Sequence, residues 1–133
     1  MTRFWVAVGP ESSWDVSLEQ GVWVLNGYGR GPYYHWEVSV GDHLLFYVTA
    51  PVSGVVGSGR ITGKTGGGKP IWPAELKARK VLWPLRMTFD IERLIPKPLW
   101  TAKKVTSVEL KNRVQGGFQH ISARLASELL EQL

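Results

Sequence analysis

The chain has 133 residues and a formal net charge of +5, with 44% hydrophobic and 20% charged residues. This size and composition are ordinary for one soluble globular domain with its own core, here residues 1–133. The sequence contains no cysteine, which excludes a disulfide framework, and no apolar run approaches the roughly 18 residues of a membrane span. We therefore expect a cytoplasmic domain without a membrane partner.

The first half of the chain predicts short strands separated by turns. Apolar, β-branched and aromatic runs bounded by glycine and proline predict strands at Arg3–Val8, Val22–Leu25, His43–Thr49 and Val55–Thr62. Ser12 and Ser13 are candidate N-caps of a short helix over Trp14–Gln20. The glycine-rich segment 27–32 predicts a loop.

The second half predicts one long strand and several short helices. The expected elements are a loop at Gly63–Pro70, helical turns at Pro73–Lys80, a strand at Trp83–Leu94, a helix at Ser107–Arg113 and a helix from Ser122 to the end. A capping box of Thr106 and Glu109 would begin the helix at Ser107–Arg113, and Gly116-Gly117 would end that helix. The pattern predicts an α+β fold, a small mixed β-barrel of five or six strands with peripheral short helices.

Positive charge is concentrated in one segment. Residues 60–104 hold eleven lysines and arginines against three acids, whereas residues 1–59 carry more acids than bases. A one-sided basic stretch is typical of a surface that binds a phosphate backbone, although it also fits an ordinary solvated face.

Seven tryptophans are more indole than a core of this size needs. Two of them, Trp72 and Trp83, flank the most basic stretch. An aromatic-rich barrel core and a stacking pocket for a flat ligand both remain open. Trp5, Trp14, Trp36 and Trp100 are assigned to core or surface packing.

Catalytic and metal-binding motifs find no support. The segment around Gly63-Lys64-Thr65 lacks the first glycine of a phosphate loop, and a helix does not follow it. The three histidines have no metal spacing, and no serine lies in a nucleophile elbow. We expect neither an enzyme nor a cofactor nor a metal.

Five segments follow one another in a characteristic order: FWVAVGPESSW at 4–14, GVW at 21–23, VGDHLLFYV at 40–48, GVVGSGRIT at 54–62 and WPLRMTFDIERLIP at 83–96. In order and spacing they resemble the EVE domain, which belongs with the YTH and ASCH domains in the PUA-like superfamily. The resemblance covers nearly the whole chain and implies a PUA-like barrel.

The resemblance also implies a pocket for a modified base. YTH domains hold a methylated adenine in an aromatic cage, and EVE-like domains are thought to flip and hold modified bases, including in modification-dependent restriction. By this resemblance Trp23 matches the first cage wall, Trp72 the second, and Leu82 or Trp83 the third. Ser12, Ser13 and Asn26 complete the expected pocket.

One departure from the YTH pattern leaves the identity of the base open. The asparagine that contacts the base in YTH domains would fall near Ser12–Trp14, and no asparagine is there. Adenine, cytosine and a larger modification therefore all remain candidates.

The sequence thus predicts a nucleic-acid-binding module that holds a flipped, modified base of DNA or RNA, with a link to a nuclease or restriction system. Its expected backbone-binding residues are cationic: Arg60, Lys77, Arg79, Lys80 and Arg86. The alternative is an RNA-binding PUA-like protein linked to RNA modification or processing. A methyl-lysine reader is disfavoured, because a cationic ligand requires acidic residues around the aromatic cage. A carbohydrate-binding module is disfavoured, because it does not require a basic segment.

Overall fold

The computed structural model describes residues 2–27, 29–112 and 117–133. One mixed sheet contains β1 (Phe4–Gly9), β2 (Val22–Leu25), β3 (His43–Val48), β4 (Gly54–Gly66), β5 (Leu85–Leu94) and β6 (Phe118–Ile121). The strand order is β2-β5-β4-β3-β1-β6. Strands β1 and β3 are parallel, and all other neighbours are antiparallel. The sheet curls into a half-barrel.

Short helices surround this sheet. They are α1 (Glu11–Gln20), α2 (Gly31–Glu37), α3 (Pro73–Ala78), α4 (Trp100–Lys103), α5 (Val108–Lys111) and α6 (Ala123–Glu131), with a 3-10 turn at Lys97–Leu99. None of the helices in the described residues has the length and apolar character needed to cross a membrane. The predicted α+β fold, a small mixed barrel of five or six strands with peripheral short helices, is confirmed: six strands form the curled mixed sheet.

Side chains alternate between the two faces of a strand, and a core cluster covers each face of the central strands. In β3, Leu44 and Phe46 join one core cluster, and Leu45 and Tyr47 join another on the opposite face. This arrangement explains why β3 is a continuous apolar run rather than an alternating one. The first cluster holds Trp5, Trp14, Trp23 and Trp100 among others.

Helix α6 closes the second cluster. The hydroxyl of Ser122 accepts a hydrogen bond from the backbone N–H of Leu125 at 3.1 Å, as expected for an N-cap. Leu125 and Leu129 are fully buried against the sheet residues Leu45 and Val55. The predicted packing of the C-terminal helix through these two leucines is confirmed.

Three predicted boundaries in the first half of the chain are wrong. Helix α1 begins at Glu11 after Pro10, so Ser12 and Ser13 lie in its first turn and do not cap it. Part of the predicted glycine-rich loop belongs to α2, since proline is well accommodated in the first turn of a helix. Strand β4 continues through Gly63–Gly66, where a loop was expected, because that segment pairs with β5.

Further differences lie in the second half, where α4 and β6 were not predicted. Strand β5 begins at Leu85, two residues after the predicted start. Helix α5 is capped by Ser107, whose hydroxyl accepts from the N–H of Leu110, rather than by Thr106. The predicted helix end at Arg113 and the first glycine of the predicted break, Gly116, lie outside the described residues.

Candidate functional site

Three tryptophans that are distant in sequence converge on one cavity of about 130 Å³. Its lining is mostly apolar and consists of Val8, Gly9, Pro10, Ser13, Trp23, Val24, Trp72 and Trp83. We call this volume the Trp cavity. An apolar cavity of about 150 Å³ is enough to admit benzene, so the Trp cavity has the scale of one aromatic ring.

Four parts of the fold form the Trp cavity. Its walls come from the end of β1, the first turn of α1, strand β2 and the segments that flank α3. A neighbouring cavity of about 160 Å³ is lined by Trp23, Asn26 and Trp83 together with Phe118 of β6. This second cavity therefore lies between β2 and β6, the two edge strands of the sheet.

The Trp23 side chain packs against the hydrophobic core. Its ring stacks on that of Trp14 with centroids 4.4 Å apart, and Trp14 in turn contacts Phe46. Gly9 lies against the same indole, since a Cβ at this position would be only 2.7 Å from Cη2 of Trp23. Trp23 is therefore both a core residue and a wall of the cavity.

Glu75 fixes the other two tryptophans through their backbone. Its carboxylate is fully buried and accepts hydrogen bonds from the N–H groups of Trp72 at 3.3 Å and Trp83 at 3.2 Å. It also accepts from the N–H groups of Ile71 at 3.2 Å and Leu82 at 2.8 Å. One carboxylate thus positions the two segments that carry Trp72 and Trp83.

Burial opposes ionisation of Glu75, but the four N–H donors outweigh burial and lower the pKa of this carboxyl below its ordinary value. Arg86 completes the arrangement, with Nη2 at 3.2 and 3.1 Å from the two carboxylate oxygens. Its Nε donates to the carbonyl of Trp83 at 3.2 Å. The expectation that Arg86 binds a phosphate backbone is wrong, because its side chain is buried and already paired.

The other predicted pocket residues lie at or near the Trp cavity. Ser13 lines it, and a neighbouring cavity of about 200 Å³ is lined by Ser12, Ser13, Trp72 and Trp83. Asn26 lines the cavity between the edge strands. Of the two candidates for the third wall, Trp83 lines the cavity that Trp23 and Trp72 share, and Leu82 is not among its lining residues.

The other four predicted backbone-binding cations lie at two places in the fold. Lys77, Arg79 and Lys80 lie at the end of α3, and we call them the basic cluster. All three are exposed, and none makes a hydrogen bond or ion pair through its side chain within the described residues. Arg60 lies in the middle of β4, where its Nε is 3.5 Å from Glu92, and it lines a different cavity with Glu92 and Arg93.

Glu75 was not predicted as a site residue, because the sequence shows it only as one of three acidic residues in the basic segment 60–104. Its position carried a usable signal, since a glutamate at the third residue of a helix often reaches back to the preceding N–H groups. Helix α3 begins at Pro73, and Glu75 is that third residue. Gly9 was also missed, because its role depends on the contact with Trp23.

Comparisons with known proteins place the fold. The chain matches no family model and no curated protein by sequence. Among solved structures it is similar to a hypothetical protein from Leishmania major, with 17% identity, 98% of this chain and 94% of that chain covered, and a TM-score of 0.59. It is also similar to the YTH domain of Mmi1 in complex with RNA, with 8% identity, 98% and 79% coverage, and a TM-score of 0.64.

A third structure, from Rhodopseudomonas palustris, matches with 14% identity, 98% and 92% coverage, and a TM-score of 0.57. At these identities the similarity establishes a shared fold and no more. The chain shares its fold with the Mmi1 YTH domain and with these proteins from Leishmania major and Rhodopseudomonas palustris.

Proposed function

We propose that this chain is a nucleic-acid-binding module that holds one flipped, modified base in the Trp cavity. The observation that carries the proposal is the convergence of Trp23, Trp72 and Trp83 on a cavity of about one ring in size. Stacking of a base on an aromatic side chain contributes roughly 1–3 kcal/mol. The apolar lining also suits a methyl group, which would gain little from a polar site.

The basic cluster supports this proposal through its position. Trp72 is the residue that precedes α3, and Lys77, Arg79 and Lys80 lie at the other end of that helix. A helix of six residues spans about 9 Å, so the cations lie close to the cavity along the chain. Contacts from unpaired cations to phosphates would offset the few kcal/mol that flipping a base costs.

We further infer that the chain binds its ligand without transforming it. Among the described residues, two carboxylates are almost completely buried, and both are engaged in structural hydrogen bonds. Asp42 accepts from the backbone of Arg3 and Ser39 and from the indole of Trp5, while Glu75 accepts from four backbone groups and Arg86. Neither is left as a general base beside the Trp cavity.

RNA is the second candidate ligand, without a requirement for a modification. The Mmi1 YTH domain, which shares the fold, is described in complex with RNA. Under this alternative the basic cluster would carry most of the binding, and the Trp cavity would discriminate little between bases. Dependence on the 2′-hydroxyl separates this candidate from a DNA reader.

The test is a binding screen by fluorescence polarisation at two salt concentrations. It compares methylated and unmodified oligonucleotides, single- and double-stranded, as DNA and as RNA. We expect one modified oligonucleotide to bind more tightly than its unmodified counterpart, and this preference to be lost in Trp72→Ala. Absence of binding to every oligonucleotide at low salt would refute the proposal.

A further inference from the structure

The cavity beside Arg60 has a volume of about 380 Å³ and a lining of mostly polar and charged side chains. The lining consists of His43 of β3, Ser58 and Arg60 of β4, Glu92 and Arg93 of β5, and Leu130 of α6. We call this volume the arginine cavity. It shares no lining residue with the Trp cavity.

The arginine cavity lies on the face of the sheet that α6 covers. Ser58 pairs with Leu45 across the antiparallel strands β3 and β4, so the side chains of these two residues share one face. Leu45 belongs to the second core cluster with residues of α6, whereas Trp23 belongs to the first cluster. The two cavities are therefore separate sites.

A β-bulge in β5 places two consecutive side chains at the arginine cavity. Ser58 of β4 pairs with Arg93, and the next residue of β4 pairs with Ile91. Glu92 is therefore an extra residue without a partner in β4. In a regular strand Glu92 and Arg93 would point to opposite faces, yet both line this cavity. Bulges that re-aim a side chain in this way are over-represented next to active sites.

Ser58 has a buried hydroxyl that the protein leaves unpaired. The residue is only 3% exposed, and within residues 2–27, 29–112 and 117–133 its side chain has no hydrogen-bond partner. Buried polar groups are normally paired, because an unsatisfied one costs stability. No fully enclosed side-chain oxygen of a described residue lacks a partner, so this hydroxyl is open to its surroundings. A ligand in the cavity that Ser58 lines can supply the missing partner.

The cationic side chains of the cavity also have unused donors. Nε of Arg60 and Nδ1 of His43 lie 3.5 and 3.8 Å from the carboxylate oxygens of Glu92. Both distances exceed the roughly 2.7–3.2 Å of a protein hydrogen bond. Arg93 donates from Nη1 to the carbonyl of Leu130 at 2.6 Å, and its other N–H groups have no acceptor among the described residues.

We propose that the arginine cavity is a second ligand site, which binds a phosphate group that replaces Glu92 as the partner of Arg60 and His43. The lining carries two arginines against one carboxylate, which favours an anion. Four side chains supply donors there, and a phosphate group offers at least three acceptor oxygens where a carboxylate offers two. Guanidinium groups also match phosphate with paired N–H donors.

The first test titrates the free protein with inorganic phosphate, with sodium acetate and sodium chloride at equal ionic strength as controls. In nuclear magnetic resonance spectra, phosphate should shift the imidazole signals of His43 and the backbone amide signal of Ser58. The indole signals of Trp23 and Trp72 should not move. Equal shifts with acetate or chloride would overturn the proposal, as would phosphate shifts confined to the basic cluster.

The second test removes donors one at a time. Arg60→Met should lower phosphate affinity roughly tenfold, the effect of one charge-assisted hydrogen bond. Arg30→Met is the matched control, because it removes the same charge from an exposed residue before α2 and should leave the affinity unchanged. Ser58→Ala should lower the affinity roughly threefold without lowering the melting temperature, since its hydroxyl has no partner in the described protein. Unchanged phosphate affinity in Arg60→Met and Ser58→Ala would overturn the proposal.

The third test predicts an effect of the opposite sign. Glu92→Gln removes the carboxylate that competes with phosphate for Arg60 and His43. It should raise phosphate affinity by about two- to fivefold, the range expected for a partly exposed ion pair. If Glu92 only maintained the shape of the cavity, its replacement would lower the affinity, and such a fall would overturn the proposal.

Two esters distinguish the possible sources of the phosphate group. Methyl phosphate represents the terminal phosphate of a small molecule, and dimethyl phosphate represents a nucleic-acid backbone. Tighter binding of either one at His43 and Ser58 supports the proposal and identifies the source, whereas binding of neither would overturn it. The reader function would still stand, because the two cavities share no lining residue.

Discussion

The carboxylate of Glu75 lies 3.1 Å from the guanidinium of Arg86, and at most 7% of either side chain is exposed. This buried ion pair lies behind the Trp cavity and contacts the backbone of two of its walls, Trp72 and Trp83. The geometry of the candidate site therefore depends on two charged residues that do not line it.

Arg86→Met should destabilise the protein by about 3–5 kcal/mol, because it leaves the Glu75 carboxylate buried without its cation. Urea unfolding measures the change. The double variant Glu75→Gln, Arg86→Met should lose less than the sum of the two single changes, since both remove the same interaction. An Arg86→Met variant as stable as the exposed control Lys77→Ala would contradict this account.

Acid should weaken the protein through Glu75. Its pKa is lower in the folded chain than the unfolded value of about 4.3, so its contribution is complete above that value and is lost as pH falls through the folded pKa. Urea midpoints between pH 3 and pH 7 should therefore fall at the acid end. Glu75→Gln should show a smaller fall, and parallel curves for the two proteins would rule out this role.

Gly9→Ala should damage the site by displacing Trp23. The new methyl group would lie 2.7 Å from Cη2 of Trp23, so the indole must shift, and a shift disturbs its stacking on Trp14. We expect a loss of stability of about 1–3 kcal/mol and weaker oligonucleotide binding. Gly66→Ala is the matched control, because a Cβ there meets nothing within 4 Å, and equal effects of the two changes would exclude the contact as the cause.

Lys77→Ala with Lys80→Ala should weaken binding to modified and unmodified oligonucleotides alike, because phosphate contacts position a ligand without specifying it. The slope of log affinity against log salt should fall by roughly 2. Lys103→Ala with Lys111→Ala removes the same charge from α4 and α5 and should change the slope less. Loss of discrimination at unchanged affinity would show that the basic cluster reads the base.

Trp72→Ala should cost roughly 1–3 kcal/mol of affinity for the preferred modified oligonucleotide and change unmodified backbone binding little. Trp100→Ala should instead lower stability without changing ligand preference, since Trp100 is buried away from the cavity lining and bonded to Ile95. Titration of both variants alongside unfolding measurements distinguishes the two roles. The reverse outcome would place the ligand elsewhere.

Short-range patterns were sufficient for some elements of this fold. Strand β3 follows from a continuous apolar run after Gly41-Asp42, and α6 from the cap at Ser122 and the leucines that recur every fourth residue. In both elements the residues that pack into one core cluster recur at a fixed spacing, every second residue in the strand and every fourth residue in the helix. Helix α2 and the end of β4 were missed because glycine and proline favour loops locally, whereas pairing with β5 orders the end of β4.

The sequence by itself determined that the chain carries more indole than its core needs and that cations surround Trp72 and Trp83. It could not determine which indoles share a cavity, because Trp23 lies in β2 and Trp72 lies just before α3, and only the tertiary structure brings these two segments together. Nor could it distinguish Arg86 from Lys77 and Lys80. Arg86 lies in a buried stretch of β5 and pairs with Glu75, while Lys77 and Lys80 are exposed at the end of α3, and burial is a property of the tertiary structure.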